Sequence, residues 1–259
     1  MACVNAFAYA DAFHGDADSF RSKSLSYANA SRYRTASAMH THWRLPTAAL
    51  HRTIDLIFCS RCPSMAYASL ATGVLLAAGF GSRFDPDGLH NKLLARMPDG
   101  TPVAHESAHR LLRVVTRVLA VVRPGSDALA RLLNDAGCDV VFARDAERGM
   151  GASLAAGIEA AEGAEGWIVA LADMPRIATS TIEDVARALD GGASLVAPFY
   201  QGQRGHPVGF GIEHRNALLA LDGDTGAKSL FMSQRVTRLD VDDAGILRDV
   251  DTPEDLRDV

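Results

Sequence analysis

Asp173 lies in Ala172-Asp173-Met174-Pro175, directly after an apolar run. A carboxylate at the carboxyl end of a strand, stiffened by a following proline, suits a hard divalent cation such as Mg²⁺. Mg²⁺ is usually held by few carboxylates together with substrate phosphates. The competing reading is a turn cap, since Asp before a turn is common. Candidate partners for Asp173 stand near the end of the chain, in Asp249-Val250-Asp251-Thr252-Pro253-Glu254-Asp255. Thr252, Pro253 at the first helical position and Asp255 three residues on read as a helix start. That leaves Asp249 and Asp251 as metal partners.

Cationic and glycine-rich features complement these carboxylates. Leu76-Ala77-Ala78-Gly79-Phe80-Gly81-Ser82-Arg83-Phe84 follows an apolar run. Its two glycines let backbone N–H groups approach an anion closely. Arg83 adds a charged donor, and Lys92 follows nine residues later. A dinucleotide fingerprint needs a third glycine where Phe84 stands, and Asp85-Pro86-Asp87-Gly88 is a turn sequence rather than a helix start. No G-x-x-x-x-G-K phosphate loop occurs. Gly149-Met150-Gly151-Ala152-Ser153 precedes an Ala-rich stretch and offers free N–H groups for a phosphate or a base edge, or plain capping. His206 lies in Arg204-Gly205-His206-Pro207, between residues that fix the backbone. A lone His is more often structural than catalytic. Asp224 could cap the helix after Gly226, with Lys228 in its first turn. His105 and His109 are spaced i, i+4, but without a third ligand they read as surface helix, and Cys138 reads as a buried hydrophobe.

The elements that position these residues alternate. The apolar runs Val74–Ala78, Val118–Val122, Val140–Phe142, Trp167–Ala172 and Ser194–Phe199 are expected strands. Helical spacing is expected over Pro102–Val115, Asp127–Ala136, Ala152–Ala161 and Thr179–Leu189, the last capped by Thr or Ser. Strand–helix alternation at this spacing implies a mostly parallel sheet with helices on both faces. Ligands of such sheets bind at the carboxyl ends of the strands, where the candidate residues fall.

Composition divides the chain. Of 259 residues, the first 64 carry a net charge of +3 and one glycine, and the remaining 195 carry −8 and twenty-one glycines. Tight turns need glycine, so residues 65–259 read as the folded domain. Residues 1–64 read as a poorly ordered extension, with Met65 as an alternative start. Cys59 and Cys62 form a C-x-x-C pair with no second pair, and read as incidental cysteines. The apolar patch Ile54–Cys59 is too short to span a membrane, and Asp11, Asp16 and Asp18 interrupt any secretory signal. Net charge −5 argues against nucleic-acid binding.

The order L-A-A-G-x-G-x-R, Lys92, A-D-M-P, G-H-P-V-G-F, G-D-x-G-A-K and D-V-D-T-P-E-D-L resembles the MobA-like nucleotidyltransferases, nearest the molybdopterin cytidylyltransferase (MocA-like) branch. The resemblance covers residues 73–259 and implies a Rossmann-like three-layer α/β fold. It also implies transfer of a nucleoside monophosphate, CMP from CTP, to a phosphate of molybdopterin with release of pyrophosphate. By the same resemblance Leu76, Ala77, Ala78, Gly79, Gly81, Arg83, Lys92, Gly149, Met150 and Ser153 bind the nucleotide. Arg83, Lys92 and Asp173 are catalytic, and Asp173 holds Mg²⁺ with Asp249 or Asp251. Gly205, His206, Pro207 and Lys228 face the acceptor. Members reading L-A-A-G resemble cytosine users, whereas guanine users tend to read L-A-G-G. The stretch from Arg83 to Lys92 is longer than the compact motif, and Ala172 stands where many relatives carry Gly.

The resemblance implies small-molecule partners, transient contact with a molybdenum enzyme or its chaperone, and a cytoplasmic location. Alternatives are another NTP, another phosphorylated acceptor (sugar, polyol or phospholactate-like), a dinucleotide-binding oxidoreductase, or a non-catalytic nucleotide-binding accessory.

Overall fold

Alternation within each strand decides how the layers form. Successive side chains of a strand point to opposite faces of the sheet. Leu75, Ala120, Val122, Ile168 and Ala170 bury into one core, and Val74, Leu119, Val121, Trp167 and Val169 into the other. Both faces of these strands are apolar, so both must be covered, and helices cover them. The structure is a computed structural model and describes residues 69–81, 83–85, 90–223 and 227–258. The expectations for residues 1–64, for Met65 and for Asp224 as a cap lie outside the described residues.

Four parallel strands form the centre: β1 (Thr72–Leu76), β2 (Val118–Val122), β3 (Asp139–Phe142) and β4 (Gly166–Leu171). Between them run α1 (Val103–Leu112), α2 (Asp127–Asp135) and α3 (Met150–Ala160), and α4 (Thr179–Asp190) follows β4. The later strands are β5 (Leu195–Tyr200), β6 (Gln203–Arg204), β7 (Val208–Gly211) and β8 (Thr237–Asp240), with the short helices α5 (Arg215–Leu219) and α6 (Lys228–Ser233) before β8. The order is β3-β2-β1-β4-β7-β5-β6, and β8 pairs with β5. Strand β7 is antiparallel to β4 and β5, while β8 is parallel to β5. The result is a mixed, mostly parallel sheet between two helical layers. No helix among the described residues is long and apolar enough to cross a membrane.

Helices α1, α2 and α4 pack on the Leu75 face, and α3 on the Val74 face. Gly157 explains how closely α3 approaches. A Cβ there would lie 2.8 Å from both Val74 Cγ1 and Val121 Cγ2. Glycine inside a helix costs about 1 kcal/mol of propensity, and here it permits direct packing of helix backbone on the sheet.

The boundaries differ from the sequence reading in informative ways. Strand β1 ends at Leu76, so Ala77 and Ala78 belong to the loop. Helix α1 is shorter than expected at both ends, and α3 begins two residues early, at Met150. Helix α4 lacks its expected Thr or Ser cap. Its N-cap is Ala178, and the free N–H of Ala178 donates instead to Asp243 Oδ2 at 2.9 Å. Thr181 Oγ1 donates to the same oxygen at 2.7 Å, and Gly245 N donates to Asp243 Oδ1 at 2.9 Å. One carboxylate from late in the chain thus caps the helix and closes its own turn. Asp243→Ala is therefore expected to lower stability by about 1–2 kcal/mol, read as a shifted urea midpoint with unchanged slope. A midpoint equal to wild type would show that the cap is dispensable.

The expected helix from Pro253 is also absent. Asp255–Asp258 form only a 3-10 turn. The Asp255 carboxylate accepts from Thr252 N at 2.7 Å, Asp251 N at 2.9 Å and Thr252 Oγ1 at 3.0 Å. These bonds hold its pKa below the usual carboxylate range, and they fix the backbone beside Asp251.

Candidate active site

The strand order reverses between β1 and β4, since β2 follows on one side and β4 lies on the other. Open α/β sheets bind ligands at such a switch point, beyond the carboxyl ends of the strands. The two chain exits are tied together there. Ala172 N donates to Leu76 O at 3.0 Å, and the buried Ser107 Oγ donates to Ala172 O at 2.9 Å. Asp173 therefore leaves β4 on a fixed backbone. A third segment is stitched on when Val250 N donates to Asp173 O at 2.8 Å. That bond places Asp249 and Asp251 on either side of Val250, both beside Asp173. One ligand atom from each of the three carboxylates lies within 4.8 Å of the others.

Lys92 reaches this cluster from the first loop. It opens a 3-10 turn, Lys92–Leu94, whose first free N–H, on Leu93, donates to Asn91 Oδ1 at 2.9 Å. Gly81 (φ +64°) turns back over the Lys92 stem, where its Cβ position is 3.4 Å from Lys92 Cγ. That left-handed conformation is one that glycine adopts freely. Lys92 is only 8% exposed. Its Nζ donates to Asp173 Oδ2 at 2.8 Å and to Asp251 Oδ1 at 3.0 Å. Burial would lower the Lys92 pKa, but the Asp173 and Asp251 carboxylates outweigh it and hold the ammonium above its ordinary range. The other Asp251 oxygen, Oδ2, accepts from Arg83 Nη1 at 2.5 Å. The Arg83 side chain is 79% exposed.

Negative charge still exceeds positive charge at the centre. Burial raises the Asp249 carboxyl, and the charges of Asp251 and Asp173 raise it further. Asp173 Oδ1 is buried with no hydrogen-bond partner. Buried acceptors are nearly always satisfied. A buried lone-pair oxygen within a triad of hard oxygen donors fits a divalent cation.

Two clefts flank the cluster. The first, of about 400 Å³, is lined by the loop Leu76–Phe80, by Lys92 and Asp173, and by Gly149, Met150 and Ser153 of the segment opening α3. The structure thus brings the expected nucleotide segments to one cavity. It adds Phe80, Leu93, Ala146 and Glu147, which sequence reasoning missed. Phe80 is 59% exposed, and the Arg123 guanidinium lies 4.7 Å from its ring centroid. Just before α3, Arg148 pairs with Asp222. The second cleft, of about 300 Å³, is edged by Asp249 and lined by Pro175, Arg176, Leu247, Arg248, Val250 and Asp255. The Arg176 and Arg248 guanidinium groups have no partner among the described residues.

Three of the expected acceptor residues, Gly205, His206 and Pro207, lie outside the lining of both clefts. Gly205 packs on Ile246, whose carbonyl accepts from His206 N at 3.1 Å. The His206 Nδ1 atom is buried without a partner, and burial, aided by Arg204, pushes the ring pKa down to about 4. His206 is therefore neutral at physiological pH, and its ring lies near enough to Asp173 for that carboxylate to oppose part of the lowering. Lys228 begins α6. His105 and His109 stack at 6.3 Å and belong to no cluster of three ligands among the described residues. Cys138 is buried, and its thiol is pushed up to about 11 by that burial and by Asp139.

Comparison with known proteins places this geometry. Residues 73–238 match the MobA-like NTP transferase domain. The chain is 31% identical over 196 residues to Nicotine blue oxidoreductase of Paenarthrobacter nicotinovorans, covering 71% of this chain and 94% of that protein. It is 33% identical over 118 residues to Purine catabolism protein PucB of Bacillus subtilis, covering 43% of this chain and spanning only 56% of PucB. Rv0371c of Mycobacterium tuberculosis, solved in complex with manganese, superposes with a TM-score of 0.57 at 28% identity, covering 71% of this chain and 95% of that one.

Proposed function

This chain belongs to the MobA-like NTP transferase family, and on that premise we propose that it transfers CMP from CTP to a phosphate group of molybdopterin, releasing pyrophosphate. The observation that carries the reading is the Lys92–Asp173–Asp251 cluster at the β1/β4 switch point, opening onto the first cleft. The proposed catalytic domain is residues 65–259.

An acceptor phosphate oxygen attacks the α-phosphorus, a new P–O bond forms, and the bond to the β-phosphate bridging oxygen breaks. The nucleophile is already an anion, so no base is needed, and neutral His206 is not asked to supply one. Such transfers depend on positioning and charge neutralisation. The loop Ala77–Gly81 would offer backbone N–H groups to the phosphates. Lys92 and Arg83 would offset the charge that accumulates on the departing pyrophosphate. Glu147, Met150 and Ser153 would border the base. Asp173, Asp249 and Asp251 would hold a divalent cation, taken as Mg²⁺, which when bound supplies further neutralisation of phosphate charge. The acceptor would enter from the second cleft, where the unpartnered Arg176 and Arg248 suit an anionic group.

A second reading has a specific motive. One relative spanning nearly the whole domain is named an oxidoreductase. Against it, Phe84 stands where a dinucleotide fingerprint needs its third glycine, and Asp85-Pro86-Asp87-Gly88 is a turn sequence rather than a helix start. One experiment separates the readings. The full chain is incubated with each of four NTPs, with and without molybdopterin, and pyrophosphate is measured with Mg²⁺ or Mn²⁺ present. Parallel reactions follow oxidation of reduced nicotinamide. Pyrophosphate release from CTP that requires molybdopterin is expected. Release only with a sugar phosphate would move the acceptor, and nicotinamide oxidation without pyrophosphate release would replace transfer with redox chemistry.

A further inference from the structure

Both oxygens of Asp251 are engaged, and both partners are cations. Oδ1 accepts from Lys92 Nζ and Oδ2 from Arg83 Nη1. Asp173 differs, because Lys92 takes only Oδ2 and leaves Oδ1 buried and unpartnered. Asp249 makes no ion pair among the described residues. A divalent cation therefore meets an unpartnered oxygen at Asp173 and no competing ion pair at Asp249, whereas at Asp251 it must share or compete for oxygens that already accept from Lys92 and Arg83. Lys92 lines the first cleft, and Arg83 meets the same Asp251 carboxylate from the loop that follows the cleft-lining Leu76–Phe80. A triphosphate there gives both of them a stronger partner than one carboxylate.

From this arrangement we propose that Asp251 is a positioning residue shared between two ligands. Without ligands it holds Lys92 and Arg83 in place; when a triphosphate draws them off, it turns to the divalent cation. The inference rests on the nucleotidyltransferase reading for its ligands, and it adds that the two ligands bind as a coupled pair. The charges agree. Three carboxylates face two cations in the free protein, and moving those cations to the phosphates leaves three carboxylates that require a new counter-charge. Coupling of this kind is reciprocal: whatever the triphosphate does for the cation, the cation does for the triphosphate.

Substitutions that break one exchange at a time give the test, using the full chain and two probes. Mn²⁺ alone is titrated by electron paramagnetic resonance, and inorganic tripolyphosphate alone is titrated by calorimetry in EDTA. Arg83→Gln should bind Mn²⁺ about tenfold more tightly than wild type, because Asp251 Oδ2 is released. Arg83 is solvent-exposed, so its charge acts on the cluster mainly through this contact. In the Asp251→Asn background the same substitution should leave Mn²⁺ affinity unchanged. Asp251→Asn should bind tripolyphosphate several-fold more tightly, since Lys92 and Arg83 are freed. Asp249→Asn removes the same charge from the same cluster without touching either cation, and should show no such gain.

Wild-type Mn²⁺ affinity in Arg83→Gln would overturn the proposal. So would equal gains in tripolyphosphate binding for Asp249→Asn and Asp251→Asn, which would reduce the effect to net charge. If the wild-type chain bound neither Mn²⁺ nor tripolyphosphate, the nucleotidyltransferase reading would fail and take this proposal with it.

Discussion

Asp173→Asn lowers the rate of pyrophosphate release about a thousandfold, the scale on which loss of one preorganised charge-stabilising group acts. That corresponds to about 4 kcal/mol of transition-state stabilisation. The substitution keeps the side-chain volume and removes one charge. Asp173 Oδ1 is the buried oxygen without a partner, so its neighbours lose no hydrogen bond when it becomes part of an amide. Lys92 keeps Asp251 as a counter-charge at 3.0 Å, which prevents a fully uncompensated buried ammonium. The fold should therefore survive, with an unchanged far-UV circular dichroism spectrum and Mn²⁺ binding weakened in parallel with the rate. A variant retaining more than a tenth of wild-type turnover would remove Asp173 from the reaction and leave it as a turn residue.

Gly205→Ala should cost about 2–4 kcal/mol of stability, in the range of overpacking and backbone clashes. A Cβ at Gly205 would sit 2.3 Å from Ile246 O and 2.6 Å from Ile246 Cγ1. The obstacle is backbone, which cannot rotate away as a side-chain tip would. Ile246 lies in the turn Ala244–Leu247, directly before the segment carrying Asp249 and Asp251. The strain should therefore reach the carboxylate cluster and weaken Mn²⁺ binding as well as lower the urea midpoint. Gly79 is the contrast, because nothing lies within 4 Å of its Cβ position. Gly79→Ala should leave the midpoint within about 0.5 kcal/mol of wild type. Equal midpoints for Gly205→Ala and Gly79→Ala would show that the turn moves freely.

Much of the architecture is legible in residue patterns, because it depends on local apolar periodicity. The runs at Val118–Val122 and Trp167–Ala172 mark their strands to within a residue. The Leu75-Leu76-Ala77-Ala78 run does not reveal where pairing stops, because alanine is equally at home in a buried loop. The Asp243 cap is invisible for a different reason. It reaches α4 across 65 residues, and no local window contains both partners. Asp173, Asp249 and Asp251 stand out as carboxylates at chain exits, but their grouping around Lys92 depends on a hydrogen bond between Val250 and Asp173 that spacing does not encode. His206 shows the same limit, because Gly and Pro beside it mark a fixed backbone without revealing that its ring comes near Asp173. Arg176 and Arg248 give no signal alone, since surface arginines are ordinary and only the fold puts these two in a cleft beside Asp249.

The stitching of Val250 to Asp173 also sets an order in time. Lys92 and Asp251 are separated by 159 residues of chain, and Asp173 by 81 from Lys92. On the ribosome Lys92 emerges first and Asp173 later, and both can join the growing parallel sheet while Asp251 is still unmade. Closing so long a loop is a late and entropically costly event. A nascent chain can therefore hold a nearly complete sheet and a nucleotide-sized cleft while lacking the last carboxylate. The three-carboxylate cluster is thus complete only once synthesis has passed Asp251, and a chain interrupted before it would lack the counter-charge that joins Lys92 to Arg83.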